Sequence, residues 1–593
     1  MATLHEQVKG WHEGERAIHT LLKVPTSSRE NPTNVGLSWS HGDRVSASPL
    51  VAIGTVDEQG RPWTSIWGGE RNFARQISHD RLAMASLVDK CHDPVVKSLG
   101  LDRLADGEVG QTSGDKAISA LSIDLESRDR VKLAGKVVVG ALVGRPNDEA
   151  VSQVQLAFQV EESLGNCPKY LNKKVIWAHL PSPQLVSSSL PLPEEAISLL
   201  AKADLFFLSS TNGQTMDTNH RGGPPGFMRV ISNTDPSPGG DNGAVLIYPE
   251  YSGNRLYQTL GNLHTNPLIG LAIPDFDTSD VLYLTGTTEL LVGDTAAAYL
   301  PHTKLASQNH TSALPFSSRM ASLSEVHPVE FSPYNPPLRK LTTEGPCSSV
   351  GLQTSRHSYS WQHITLDFGG ELDNGWAHMN NSDPQSLNDD YVRTFTISNS
   401  PPSNAEQEIK FEITARKHGP VTGFLWGYHI SPRAARLEIP VLGFGGEENF
   451  RLIGTGKEKQ KVFVAGGVGI TPFLGQVREI AATDHEVELI WSLRADDLPF
   501  ARDVLGRNEG IKQVKVRLFL TGGCGESGKA EMAKIKGLEG VKVEMRRLTK
   551  KDVQGDWFDK ERKKYFLCAG VGMMKVLRGW LEGEEVVSES FEY

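Results

Sequence analysis

Residues 462–473, Val-Phe-Val-Ala-Gly-Gly-Val-Gly-Ile-Thr-Pro-Phe, decide how the C-terminal part of the chain folds. The opening apolar run is what a strand buried on both faces requires. Gly466, Gly467 and Gly469 follow, and they let the backbone turn sharply and approach a ligand closely. Thr471 and Pro472 then open a helix, because proline is tolerated in a first turn. Strand, glycine turn and helix N-terminus together present amides to an anion, which suits a dinucleotide pyrophosphate. Taken alone, the same stretch is also what a plain tight turn looks like.

The flanking sequence narrows that reading. Val487 to Leu493 predicts a second strand, closing on Ser492, Leu493 and Arg494. Val514 to Leu520 predicts a third, and Tyr565 to Cys568 a fourth, with Met573 and Met574 in the helix that follows. Short apolar runs alternating with helical patterns imply a parallel sheet covered by helices, whose strand ends line one crevice. This places a nucleotide-binding, Rossmann-like α/β domain at residues 456–593. Arg494 could pair a 2′-phosphate, which leans towards NADPH and leaves NADH open.

These residues resemble the ferredoxin–NADP reductase superfamily. The resemblance implies that Gly466, Gly467, Gly469, Thr471 and Pro472 hold a nicotinamide dinucleotide, with Cys568 beside the nicotinamide. The family's Cys-Gly-Pro-x-x-Met turn is here Cys568-Ala569-Gly570-Val571-Gly572-Met573, so Cys is kept and Gly-Pro is not. Upstream, Arg393-Thr394-Phe395-Thr396 resembles the family's Arg-x-Tyr-Ser flavin motif. By that likeness Arg393 pairs a flavin phosphate, Phe395 packs on the flavin, and the Thr396 hydroxyl reaches the ring N5. Lys417 to Thr422 resembles the segment that holds the FAD pyrophosphate, which carries Gly419, Val421 and Thr422 into the site. Leu442 to Gly446 resembles the closing strand of a β-barrel FAD-binding domain, expected over residues 335–455. Glu589-Ser590-Phe591 resembles the family's terminal Glu-x-Phe, with the acid near the nicotinamide, and Tyr593 could stack on the flavin. The catalytic set implied is Thr396, Cys568 and Glu589.

The N-terminal half reads as a duplication. Val56 to Gly60, Gly68-Gly69 and Phe73-Ala74-Arg75 are matched by Leu205 to Gly213, Gly222-Gly223 and Phe227-Met228-Arg229, offset by about 150 residues. Pro- and Ser-rich stretches at 181–193 and 332–337 read as linkers. Domains are therefore expected at 1–185 and 191–330. Gly226 to Val230, Tyr251 to Arg255 and Thr259 to Pro267 resemble the pyridoxamine 5′-phosphate oxidase-like split barrel. That resemblance implies an FMN phosphate gripped by Arg229, Ser252, Asn254 and Arg255. Asn166-Cys167-Pro168-Lys169-Tyr170 is similar to a segment of related flavin proteins. Such barrels pair, so a tandem copy could form its own pseudodimer with Lys169 near a phosphate. A degenerate docking platform without FMN is the other reading. His12 and Glu13 fit a polar helix cap.

Composition sets the outer limits. A net charge of -10 over 593 residues offers no basic surplus for nucleic acid. The five cysteines are scattered without C-x-x-C spacing, which argues against zinc, a disulfide framework or an iron–sulfur cluster. With no signal peptide or membrane-spanning run, a cytoplasmic protein is expected. The expected whole is multidomain: tandem β split barrels, a β-barrel FAD domain and the Rossmann-like domain. It would pass hydride from NAD(P)H to FAD, and electrons onward to bound FMN or to an unidentified external acceptor. An FMN-dependent oxidase of a small substrate with its own reductase, and a non-catalytic flavin sensor or scaffold, are the alternatives. Homo-oligomerisation stays open.

Overall fold

The structure is a computed structural model. It describes residues 10–22, 24, 31–111, 115–146, 148–165, 169–234, 243–318, 323–344, 363–372, 380–382, 384–400, 411–428, 437–446, 449–453, 460–483, 487–523, 525–555 and 563–589. The chain divides into two units, Met1–Cys347 with Asn374–Asp390, and Ser348–Asp373 with Tyr391–Tyr593.

In the N-terminal unit the first strands are β1 (Leu50–Val56), β2 (Pro62–Gly68), β3 (Ala74–Ser78), β4 (Arg81–Asp89), β5 (Ala117–Asp124), β6 (Asp129–Arg145) and β7 (Asp148–Gly165). They pair antiparallel in the order β2-β1-β5-β6-β7-β4-β3. A second set follows: β8 (Leu205–Thr211), β9 (Met216–Gly222), β10 (Arg229–Asn233), β11 (Ala244–Pro249), β12 (Leu268–Asp275), β13 (Asp280–Val292) and β14 (Leu305–Ala313). Its order is β9-β8-β12-β13-β14-β11-β10, the same path with every number raised by seven. Even the turns agree. Asp57 Oδ1 accepts from the Gln59 and Arg61 amides at 2.9 Å, with Gly60 at φ +75°. Asn212 Oδ1 accepts from Gln214 at 2.9 Å and Thr215 at 2.8 Å, with Gly213 at φ +89°. In both, an Asx side chain folds the turn and glycine supplies the left-handed residue.

The two sheets bury one face against each other. Phe207, Ala272 and Tyr283 of the second lie in the same apolar cluster as Val51, Ile53 and Trp67 of the first. Buried hydroxyls meet within it: Thr64 Oγ1 donates to Gly270 O at 2.9 Å, and Ser119 Oγ lies 2.6 Å from Thr218 Oγ1. Contact is so close that a Cβ on Gly54 would stand 2.0 Å from Ser209 Oγ. Helix α1 (Glu13–Leu21) opens with a capping box, His12 N donating to Glu15 Oε2 at 2.7 Å and His12 Nδ1 accepting from Gly14 N. The cap expected at His12 and Glu13 is thus made by His12 with Glu15, while Glu13 is the first residue of the helix.

The linker readings change. Within 181–193, Gln184–Ser187 pairs with Phe316–Ser318, because a short edge strand needs only a few ladder bonds and tolerates flanking prolines. Lys173–Ala178 pairs with Leu323–Glu330, so strands expected in separate barrels share a ladder. At 332–337, Ser332 N donates to Asn172 Oδ1 at 2.9 Å and Tyr334 is buried. Residues 374–390, expected in the FAD domain, belong to the N-terminal unit, where Asn388 Nδ2 donates to Tyr170 OH at 3.0 Å.

In the C-terminal unit a three-stranded sheet, β15 (His363–Asp367), β16 (Val392–Thr396) and β17 (Val441–Gly445), has β15 at its centre. Its apolar face holds Ile364, Leu366, Phe395 and Val421, the last from helix α2 (Gly419–Gly427). Next come β18 (Lys461–Gly466), helix α3 (Thr471–Ala481), β19 (Val487–Arg494), β20 (Lys515–Thr521), β21 (Val541–Glu544), β22 (Lys564–Cys568) and β23 (Glu585–Glu589). They form an all-parallel sheet ordered β21-β20-β19-β18-β22-β23. After β18 the chain steps outward through β19, β20 and β21, then returns to the other side of β18. The strand order therefore reverses between β18 and β22, and open α/β sheets place their crevice beyond the strand ends at such a reversal. Fully buried Gln476 fixes α3 to the preceding chain, accepting from Leu452 N at 2.7 Å and donating to Phe450 O at 3.3 Å.

Candidate functional site

At the reversal point the glycines divide their roles. Gly467 takes φ +58°, a conformation that side chains with a Cβ adopt at a cost, and nothing lies within 4 Å of where its Cβ would be. Gly469 needs its bareness for space, since a Cβ there would stand 2.1 Å from Cys568 O. At Gly466 a Cβ would meet Ala569 Cβ at 2.7 Å and Met573 Sδ at 2.8 Å. No side chain caps the 3-10 turn Gly467–Ile470, and the Thr471 amide that opens α3 donates to Val468 O, so the turn rather than α3 faces an anion with its amides. Trp491 Nε1 donates to Gly467 O at 2.9 Å and pins the loop from beneath. Thr471 and Pro472 are buried in the first turn of α3.

Cys568 ends β22 in register with Ala465 on one side and Glu589 on the other. It is buried, and burial, with a smaller push from Glu589, holds its thiol well above the usual range. Glu589 is also buried, and His363 Nδ1 lies 3.2 Å from its Oε1. Burial holds His363 below the ordinary imidazole value, so the ring is neutral near pH 7. His363 pairs across the sheet with Thr396, and both alternate away from the core face occupied by Ile364 and Phe395. His363 thus neighbours Thr396 in register and lies beside Glu589, which in turn is in register with Cys568. Sequence reasoning missed His363; its signal is a polar residue opening the strand that partners the Arg-x-Phe-Thr motif.

The remaining flavin residues fit unevenly. Arg393 is half-buried at the start of β16, with NH1 donating to Val392 O at 2.9 Å. Phe395 departs from the expectation that it packs on a flavin. It is 7% exposed and lies edge-on to Phe368, because the alternation that keeps Thr394 outside turns Phe395 into the core. Gly419, at φ +70° with open space around it, starts α2, and no side chain caps that helix. The buried Thr422 hydroxyl accepts from His418 N and donates to His418 O, while Val421 is core. Arg494 is exposed at the end of β19. Ser590, Phe591 and Tyr593 lie outside the described residues.

The N-terminal unit carries a second site, where the two sheets meet at β6 and β9. A cavity of about 130 Å³ is lined by Arg130, Lys132, Lys169, Arg221 and Arg255, with Glu250 as the facing carboxylate. Asn254 lines it as well. Arg221 Nε donates to Glu250 Oε2 at 2.6 Å, and Lys132 pairs with buried Asp217. His220 contacts Arg130, and burial together with Arg130, Arg221 and Lys132 drives its pKa far down, so it adds no charge. Arg255 and Tyr257 sit at φ +62° and +56° on the rim, backbone strain of the sort found at ligand sites.

Two expected phosphate ligands lie elsewhere. Arg229 pairs with Glu344 and donates to Gly226 O at 3.2 Å, so its guanidinium is engaged away from the cavity. Ser252 donates its amide to Asn388 Oδ1 at 3.0 Å and accepts from Tyr170 OH at 2.7 Å; it does not line the cavity. Asn166, Cys167 and Pro168 lie outside the described residues. Sequence reasoning missed Arg130, Lys132, His220 and Arg221. Arg130 and Lys132, alternating within an otherwise apolar strand, are a readable signal, because a sheet buries charge only beside a partner or ligand.

No described helix is long and apolar enough to cross a membrane, and among the described residues no His, Cys, Asp and Glu cluster could hold a metal ion. No family model matches the chain, and no curated protein matches it. Among solved structures, the chain resembles the flavohemoglobin of Malassezia yamatoensis with bound FAD and heme, at 20% identity and a TM-score of 0.26, over 39% of this chain and 51% of that one. It also resembles a cytochrome P450 reductase of Amycolatopsis, at 15% identity and a TM-score of 0.26, over 39% and 60%. A third likeness is to the ferredoxin-NADP+ reductase of Plasmodium falciparum, at 13% identity and a TM-score of 0.23, over 39% and 82%. This chain therefore spans about half the length of the flavohemoglobin. Scores this low are weak likenesses, so the reading of the sites rests on their own residues.

Proposed function

We propose that the C-terminal unit is an NAD(P)H-dependent flavin reductase using FAD, and that the N-terminal unit binds a flavin phosphate, FMN. The observation that carries this reading is the convergence of the Gly466–Thr471 loop with Cys568, Glu589, His363 and Thr396 at one strand-order reversal. A bound flavin supplies the redox chemistry, accepting hydride from a nicotinamide and releasing electrons singly or in pairs. The chain's own residues orient and exclude water. Amides of the glycine loop hold the pyrophosphate of the dinucleotide, with the dipole of α3 behind them. The N-terminus of α2 and Arg393 serve the FAD phosphates, with Gly419 supplying the turn. Thr396 provides a hydroxyl and Cys568 a protonated thiol at the crevice. Glu589, beside neutral His363, places a carboxylate where a nicotinamide carboxamide needs an acceptor. In the N-terminal unit, Lys169, Asn254 and Arg255 serve the FMN phosphate. With both flavins held there, reduced FAD would supply electrons to that FMN or to an external acceptor.

Mixing the FAD-loaded chain with NADPH in a stopped-flow instrument tests this directly. Loss of the oxidised flavin band near about 450 nm is expected. A flavin that stays oxidised would favour the scaffold reading, which draws on the burial of Phe395 and on the Thr422 hydroxyl being bonded to its own helix cap.

A further inference from the structure

The two sheets of the N-terminal unit follow one strand path, and their registers match them residue by residue. β1 and β2 pair Gly54 with Thr64, while β8 and β9 pair Ser209 with Thr218. Gly54 therefore corresponds to Ser209 and Thr64 to Thr218, and on the same ladders Trp63 corresponds to Asp217. The β5–β6 hairpin closes on Asp124 and Asp129, the β12–β13 hairpin on Asp275 and Asp280. Lys132 is thus the counterpart of Tyr283, and Ser119 that of Gly270.

Contacts between the sheets repeat under this correspondence, as they do in a two-fold pair. Thr64 Oγ1 meets Gly270 O at 2.9 Å, and Thr218 Oγ1 meets Ser119 Oγ at 2.6 Å. A residue that touches its own counterpart lies on the axis, and Gly54 with Ser209 is such a pair. Ser209 Oγ stands 2.7 Å from Thr64 Oγ1 and 2.9 Å from Thr218 Oγ1, so one hydroxyl serves both threonines. A Cβ on Gly54 would lie 2.7 Å from Ser209 Cβ and 2.5 Å from Thr218 Oγ1. The axis has room for one serine, facing a glycine.

Away from the axis the two sides also differ in kind. Where β6 meets β9, Lys132 of the first copy pairs with Asp217 of the second, and both are buried. The corresponding residues where β13 meets β2 are Tyr283 and Trp63, 1% and 7% exposed in one apolar cluster. Asp93 stands near that wall, its carboxylate already accepting from Ser65 Oγ, Trp67 Nε1 and the Val95 and Val96 amides. Two first copies would set Lys132 against Trp63, with facing glycines leaving a void on the axis. Two second copies would set Asp217 against Tyr283 and force two serines into the space of one. Either like pair parts the buried ions, which costs more than an exposed pair would.

We infer that the inner faces of the two copies are specified for each other and against themselves, so that like copies of separate chains do not pair. The cavity between β6 and β9 takes Arg130 and Lys132 from one copy and His220 and Arg221 from the other, and only the unlike pairing completes it.

Reciprocal exchange on the axis tests this in the full chain. Gly54→Ser crowds the axis and should lower the melting temperature by about 5 °C in scanning calorimetry. Adding Ser209→Gly returns one serine to the axis from the opposite side and should recover most of that loss. Ser209→Cys reads self-pairing: two second copies would bring the introduced thiols together and join two chains by a disulfide. With diamide as oxidant, non-reducing electrophoresis should show no more covalent dimer than the native chain gives through its own cysteines. A fully stable Gly54→Ser chain, a double variant no more stable than Gly54→Ser, or dimer above the native background would overturn the inference. If Gly54→Ser does not fold, a folded double variant supports the inference and an unfolded one overturns it.

Discussion

The crevice of the C-terminal unit and the cavity of the N-terminal unit are both suited to phosphate, but they are built from different materials. The crevice is backbone: three glycines, two helix starts without side-chain caps, and hardly a charged group among them. The cavity is side chain: Arg130, Lys132 and Arg221 from the two sheets, Lys169 and Arg255 from loops, with Arg221 paired to Glu250 and Lys132 to Asp217. A backbone site depends on conformation, so it tolerates no added atoms. A side-chain site depends on burying charge with its partners, so it tolerates no unpaired removal. The two should therefore break in opposite ways.

The largest effect is expected from adding bulk to the crevice. Gly469→Val puts a Cβ 2.1 Å from Cys568 O, and the strand ends must part. Nicotinamide binding should be lost and the melting temperature lowered, while anion binding by the N-terminal unit persists. Undiminished NADPH turnover would show that close approach is not needed. Next comes removal of charge from the cavity. Lys132→Met leaves Asp217 buried without its cation and should cost about 3–5 kcal/mol, read from the urea transition of the N-terminal unit. Adding Asp217→Asn should restore most of that; if it does not, the pair is not what the site depends on. Arg393→Ala should weaken FAD by about 2 kcal/mol, some thirtyfold, measured from the fluorescence of released flavin. Normal retention of FAD would remove Arg393 from the site. Gly467→Ala sharpens the contrast within the loop, since it meets no neighbour and strains only φ. About 1–2 kcal/mol, or roughly a tenfold loss of NADPH affinity, is expected. An effect as large as that at Gly469 would mean the loop has no open side.

The smallest change concerns Cys568. A free thiol reacts faster with iodoacetamide as pH rises through about 8.5. Burial and Glu589 keep Cys568 protonated across that range, whereas Cys91 is exposed. Peptide mapping between pH 7 and 9 should therefore show labelling rise at Cys91 and stay low at Cys568. A parallel rise at both would mean that Cys568 is open to solvent.

The same division explains what could be read in advance. The glycine loop, the strands after it and the hairpin turns at Gly60 and Gly213 follow from consecutive residues, because φ and hydrogen bonding are local. The common path of the two N-terminal sheets follows from matched spacing along the chain. The cavity could not be assembled that way, since Arg130 and His220 meet 90 positions apart. Arg229 shows the converse: its place on a strand was legible, but its engagement with Glu344 was not. Phe395 shows how parity decides, because one step along β16 separates a side chain facing a ligand from one facing the core.

By itself the sequence determined the elements, the parallel sheet with its glycine loop, and the duplication. Each of these is a matter of local conformation or of repeated pattern. Only the tertiary structure decided which strand ends share a crevice, that His363 neighbours both Thr396 and Glu589, and that cations gather where β6 meets β9. Those outcomes depend on which side chains are left facing each other once distant strands pair, and burial then fixes their chemistry.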